Sequence, residues 1–329
     1  MDLLDILRSK IDSLEDGDHI PGLKAVLLHI ETASRHLLRG QKQNDDTAFT
    51  DSIYRTNQAF EGSLKEAYRV LAGKDPERER PYDIEQYFEE KKVFRQRVLA
   101  QFTNYRTQWR NPSSHDYKLD FDENEAFLAI VSVSAFACLV LDQISFTLSY
   151  IRTKIETETK HSDIQTRFAN YQGSILELTS ELLKEFSVQH WTAKDENPRQ
   201  TEANIIGALS GFFATVAPNL EVSSEVKLTP NLSTGSRIMR IADLVVSNEQ
   251  EQVLIELKGS KRGYRSGLLQ LEKYMRESNI SCGILYLYPD PDKSGELDIN
   301  QHLLPEMNGR ILILTPREWK INHKIHSQW

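Results

Sequence analysis

Along the first half of the chain apolar residues recur three and four apart, the spacing that gathers side chains on one face of an α-helix. Leu3, Leu4, Leu7, Ile11 and Leu14 form the first stripe. Pro21 opens a second helix carrying Leu23, Val26, Leu27, Ile30 and Leu37, and a third runs from about Asp46 to Gly73 behind Phe49, Ile53, Phe60, Leu64, Ala67 and Leu71. The polar, proline-bounded GKDPERERP segment then breaks the pattern. A fourth helix starts near Asp83 and carries Tyr87, Phe88, Phe94, Val98, Phe102 and Trp109. It is predicted to end at Asn111, because a residue preceding proline is biased out of the helical region. Asp122 is placed to cap a long fifth helix, ENEAFLAIVSVSAF, which turns polar after Leu148. No strand pattern interrupts this half.

The period changes between residues 159 and 200. A solvated TKHSD stretch leads to one more amphipathic helix and then to AKDENPRQ, a strong loop signal. From Thr201 the order is helix (EANIIGALSGFFATV), strand (LEVSSEVKL), strand (RIMRIADLVVS), strand (EQVLIELK), helix (YRSGLLQLEKYMRE), strand (CGILYLY) and a last strand (RILILTP). The NEQEQ turn predicts an antiparallel hairpin, and the later helix a crossover to a parallel neighbour. The expected fold is therefore α plus α/β: a helical bundle over 1–160, a connecting helix and linker over 161–200, and a mixed β-sheet flanked by helices over 201–329.

At 329 residues, two domains are the default expectation. Hydrophobic residues at 39%, with only 15 glycines and 11 prolines, exclude collagen-like and low-complexity classes. Two cysteines, Cys138 and Cys282, stand far apart without a CxxC, which excludes a disulfide framework or a local zinc site. The N-terminus has no basic region followed by an apolar run, and the apolar stretch Ala126–Leu141 is short for a bilayer span. A cytoplasmic protein without membrane contact is expected. The net charge of −8 opposes nonspecific attraction to nucleic acid, so any such binding needs a local cationic patch.

That patch accompanies the most informative segment, RIADLVVSNEQEQVLIELKGSKR. On a strand Glu256 and Lys258 point the same way while Val253, Ile255 and Leu257 point the other way. Asp243, across the hairpin, can reach the same end of the sheet. Two convergent carboxylates supply the hard oxygen donors that Mg²⁺ (or Mn²⁺) prefers, and the lysine can orient water or offset charge on a phosphoryl transition state. Lys258, Lys261, Arg262 and Arg265 follow one another without an intervening acid, as contacts to a nucleic-acid backbone require.

Asp243 followed by Glu256-Leu257-Lys258, within this order of strands and helices, resembles the PD-(D/E)xK or restriction-endonuclease-like superfamily over roughly residues 201–315. The resemblance implies a metal-dependent nuclease. It makes Asp243 and Glu256 the metal ligands, Lys258 the residue that assists the attacking water, and Glu202, from the preceding helix, an additional acid. Gln270 and Tyr274 match the QxxxY element of RecB-like members and are implied to organise the substrate side. Ile241-Ala242 stands where the family name has proline.

A second constellation is WRNPSSHD, where four residues separate Arg110 from His115. Arginine can hold a phosphate and neutral histidine can exchange the proton of a ribose 2′-hydroxyl, the equipment for metal-independent RNA cleavage. With Asn111 and the flanking long helices, the segment resembles the HEPN domains over about residues 20–150. That resemblance implies a helical bundle, homodimerisation, and either an endoribonuclease or a scaffold. Three functions are compatible with these residues and resemblances: a metal-dependent nuclease acting on DNA, in phage or foreign-DNA defence; an RNase centred on Arg110 and His115; and a non-enzymatic nucleic-acid-binding adaptor.

Overall fold

The structure is a computed structural model that describes residues 3–115, 120–160, 162–169, 171–192, 201–228, 240–289 and 295–319. The AKDENPRQ segment, the Arg237–Met239 start of the predicted second strand, and Asp116 lie outside these residues, as does the side chain of His115. By internal packing the chain divides into two units, Met1–Leu148 and Ser149–Trp329. The division falls inside a helix rather than at the expected linker.

In the first unit α1 (Leu3–Asp12), α2 (His19–Gln43) and α3 (Thr47–Leu71) follow the predicted stripes. Ile30, Ile53, Phe60 and Leu64 are wholly buried in one core with Phe102, Phe136 and Ile144. The predicted fourth helix is in fact broken. After α4 (Pro81–Lys91), Lys92 adopts a left-handed conformation (φ 51°) that terminates the helix, and α5 (Gln96–Tyr105) starts afresh. Nor does the chain leave the helix at Asn111. A π-turn over Arg106–Arg110 leads directly into α6 (Asn111–His115), with Pro112 inside it. A wider turn relieves the clash of a proline ring with the preceding turn. The Ser113 hydroxyl donates to Trp109 O at 2.8 Å, supplying a donor where the helix ladder is disturbed.

Helix α7 (Glu123–Lys160) begins with a reciprocal cap: Glu125 N donates to Asp122 Oδ1 at 2.8 Å, and Asp122 N to Glu125 Oε2 at 2.9 Å. By length and composition this helix could cross a bilayer, yet Ala126, Ala129, Val133, Phe136, Val140 and Ile144 are completely buried in the bundle core.

In the second unit, α8 (Ser162–Ala169) and α9 (Ile175–Thr192) replace the single connecting helix expected there, and α9 packs on the sheet rather than serving as a tether. After α10 (Glu202–Val216) come β1 (Glu221–Leu228), β2 (Arg240–Ser247), β3 (Gln252–Lys258), α11 (Gly263–Ser278), β4 (Cys282–Leu287), β5 (Leu297–Leu304) and β6 (Gly309–Pro316). Among the described residues these strands form one mixed sheet in the order β1-β2-β3-β4-β6-β5. The β2–β3 hairpin is antiparallel, and α11 carries the chain to a parallel β4, as predicted. Strand β5 was not predicted. It is an edge strand in which only Leu297 and Leu304 are buried, so its DINQHL interior lacks apolar alternation. Leu254, Leu268, Leu271, Met275, Leu285 and Ile313 make the core between the sheet and α11.

Candidate active site

Burial builds the site from the centre of the sheet outward. Strand β3 is buried from Val253 to Leu257, so Glu256 places a carboxylate inside the protein with its side chain only 1% exposed. One oxygen, Oε1, accepts a hydrogen bond from Lys258 Nζ. The other, Oε2, is buried and receives no hydrogen bond. A buried carboxylate oxygen without a donor is costly. It is also the kind of atom a hard cation accepts.

Asp243 stands where the sheet comes apart. The β2–β3 ladder pairs Ser247 with Gln252 through to Leu244 with Ile255, and one further step would set Asp243 opposite Glu256. There the Asp243 side chain takes over, and Leu257 N donates to its Oδ2 at 2.8 Å. Ala242 and Val245 both join the core beneath α11, although residues three apart on a regular strand face opposite ways. The pleat is therefore reset at Asp243.

Lys258 lies along α11 because that helix offers no side chain in its path. A Cβ on Gly263 would come within 3.1 Å of the lysine stem, and one on Gly267 within 2.9 Å of its Cγ and 2.8 Å of Leu285 Cδ1. The next turns of α11 carry Gln270 and Tyr274, whose amide and phenol are joined by a 2.6 Å hydrogen bond. Lys261 and Arg262 in the preceding turn, and Arg265 in the first turn of α11, are exposed, and no acid occupies that first turn. Their charge adds to the positive end of the helix.

The electrostatics tie the group together. Burial raises the Asp243 carboxyl above its ordinary range, against the opposing Leu257 hydrogen bond and the Lys258 charge. Glu256 is pushed up to about 7, first by burial and then by Asp243, with Glu202 at the start of α10 adding in the same direction. Burial works to lower Lys258, but its hydrogen bond to Glu256 and the charges of Glu256, Asp243 and Glu202 outweigh that, and its pKa is raised. Tyr274 is raised by burial and by the fields of Glu256 and Asp243. The structure thus brings Glu202, Asp243, Glu256, Lys258 and Tyr274 into one electrostatic neighbourhood, with Gln270 joined to it through Tyr274.

Tyr288 was not singled out from sequence. It follows β4, its N–H donates to Lys258 O at 3.2 Å, and burial with the charge of Glu202 pushes its phenol up to about 12. A neutral phenol beside two carboxylates is a hydrogen-bond donor. Only the position of Tyr288 just past a parallel strand could have hinted at this, since ligands gather at carboxyl ends of such strands.

Among the described residues no three His, Cys, Asp or Glu side chains already surround a common point. The donor set nonetheless fits a divalent cation of the Mg²⁺ class: hard oxygens from Asp243 and Glu256, one of them buried without a donor.

In the helical unit, Arg110 serves the bundle. Its Nε lies 3.8 Å from Glu61 Oε1 and its Nη1 donates to Asn111 Oδ1 at 3.1 Å. Arg110 and Arg106 both act on Glu85, whose carboxyl is raised by burial against their charge. Nearby, Tyr105 OH reaches Thr56 and Asn57, and Asn57 donates to Ser113. The arginine of the RNPSSH segment is thus engaged within its own bundle. Comparison of the chain with family models, curated proteins and solved structures finds no match in any of the three.

Proposed function

We propose that the second unit hydrolyses phosphodiester bonds with Mg²⁺ or Mn²⁺, and that its substrate is DNA. The observation that carries this reading is the buried Glu256 carboxylate, with one oxygen on Lys258 and the other without a donor, beside Asp243 at the break in the ladder. In this reading Asp243 and Glu256 hold the cation, which supplies a polarised water and neutralises phosphoryl charge when bound. Lys258 orients the attacking water and offsets the charge that develops on phosphate oxygens. Glu202 keeps the pocket negative. Gln270 and Tyr274 face the substrate side, and Lys261, Arg262 and Arg265 grip the backbone without reading sequence.

The helical unit is proposed as a dimerisation and sensing module. Phe127, Leu128 and Val131 on α7 are exposed and give it an apolar face for a partner copy. A role in defence against foreign DNA belongs to the same proposal and rests on the pairing of the two resemblances. The intact acid and lysine set speaks against a purely adaptor role.

Labelled double-stranded DNA, single-stranded DNA and RNA incubated with Mg²⁺, Mn²⁺ or EDTA test the reading. Metal-dependent DNA cleavage lost in Asp243→Ala is expected. RNA cleavage that persists in EDTA and disappears only in His115→Ala, without DNA cleavage under any condition, would move the chemistry to the helical unit.

A further inference from the structure

Three unfavourable features meet in one row of the sheet. Strand β1 pairs with β2 from Glu221–Ser247 to Ser224–Leu244, and again from Val226–Ala242 to Leu228–Arg240. Glu225 and Asp243 are the step skipped between them. Continuing the registers sets Glu225 opposite Asp243, and Asp243 opposite Glu256, across three adjacent strands. Directly opposed residues on neighbouring antiparallel strands lie roughly 5 Å apart, where like charges repel.

The backbone at Glu225 is also strained. Its φ is +51°, inside a strand and at a residue with a full side chain, where glycine or asparagine is the ordinary occupant. Such a conformation is strained and persists only where surrounding structure enforces it. The third feature is independent of the other two: the Glu256 Oε2 atom, buried and without a donor at the far end of the same row. Strain, like-charge opposition and an orphaned acceptor would each be offset by a divalent cation.

From this convergence we infer that Glu225 is a further carboxylate of the cation site, extending the Asp243 and Glu256 pair across β1. The inference rests on the proposed function. It adds a ligand that neither the Asp243 spacing nor the Glu256-Leu257-Lys258 segment indicates. The row then spans three strands, and Asp243 at its centre is shared by the carboxylates on either side. A hard cation of the Mg²⁺ or Mn²⁺ class suits such a set, since all its donors are oxygens.

Titration calorimetry of the full-length protein with Mn²⁺ alone tests this without any turnover. Glu225→Asn is the main variant, because asparagine tolerates the left-handed backbone and removes the charge; Glu225→Gly is the second, because it removes side chain and strain together. The expected result is binding weakened about tenfold in both variants and more severely in Glu256→Gln. The melting temperature of cation-free Glu225→Gly should be equal to or above that of the wild type. Unchanged Mn²⁺ affinity in Glu225→Asn and Glu225→Gly, with binding lost in Glu256→Gln, would overturn the inference and leave the proposed function standing. Absence of Mn²⁺ binding by the wild type would overturn both.

Discussion

Replacing Glu256 by glutamine should make the cation-free protein more stable at pH 8, although it removes a group proposed to hold the metal. Folding raises this carboxyl from 4.5 to about 7, chiefly by burial. Below about pH 4.5 the group is protonated in both folded and unfolded chains and costs nothing. Between about 4.5 and 7 the unfolded chain ionises first, so stability falls as pH rises; above about 7 the folded protein carries the full cost. At ~1.4 kcal/mol per unit that cost is about 3 kcal/mol. Glutamine matches the protonated acid in shape, and its Oε1 can still accept from Lys258. The gain at pH 8 should therefore be about 2–3 kcal/mol, or roughly 5–10 °C for a unit of this size. Differential scanning fluorimetry in EDTA at pH 4.5 and pH 8 reads it. An equal effect of the substitution at both pH values would mean that Glu256 ionises in the folded protein at no cost, the opposite of what its burial implies.

Other consequences follow from the same geometry. Apparent Mn²⁺ affinity should fall up to about tenfold per unit as pH drops below 7, because the cation must displace a proton from Glu256; calorimetry at pH 6, 7 and 8 gives the slope. Gly267→Ala should lower stability by about 1–3 kcal/mol and activity with it, because the new methyl meets Leu285 Cδ1 at 2.8 Å and the Lys258 stem at 2.9 Å; urea melts and cleavage rates read the two effects. Arg110→Ala should lower the melting temperature while leaving metal-dependent cleavage unchanged, because Arg110 is paired with Glu61 and acts on the buried Glu85. Light scattering should give twice the chain mass; a strict monomer at high concentration would remove the dimer from the proposal.

The periodicities that could be read were those imposed by burial. Residues 253–258 announce themselves because Val253, Ile255 and Leu257 alternate with Leu254, Glu256 and Lys258, and only a charged pair breaks the apolar run. The hairpin register then follows from a short polar turn, and it sets Asp243 level with Glu256. Helix breaks were less legible. Lys92 ends α4 in a left-handed conformation with no glycine to mark it, and the π-turn before Pro112 keeps helical a segment that local bias would terminate. Strand β5 escaped because an edge strand held by one neighbour needs few buried side chains. The strain at Glu225 was invisible for the same reason as Lys92: neither residue type marks a left-handed backbone. Sequence placed Glu256 and Lys258 on one face. It could not reveal that one carboxylate oxygen is held by the lysine while the other is buried without a donor.

The Glu256 carboxylate and Lys258 are proposed to perform metal-dependent phosphodiester hydrolysis together. Single-turnover cleavage of double-stranded DNA in Mg²⁺ by the wild type, Lys258→Ala and Glu256→Gln, with DNA affinity measured in parallel, decides whether they do. Cleavage by the wild type that EDTA abolishes is expected, with rates reduced at least about a hundredfold in both variants and DNA affinity retained within a few-fold, because transition-state charge stabilisation is lost and backbone contacts are not. Wild-type rates in both variants, or equal cleavage with and without EDTA, would take the chemistry away from this pair.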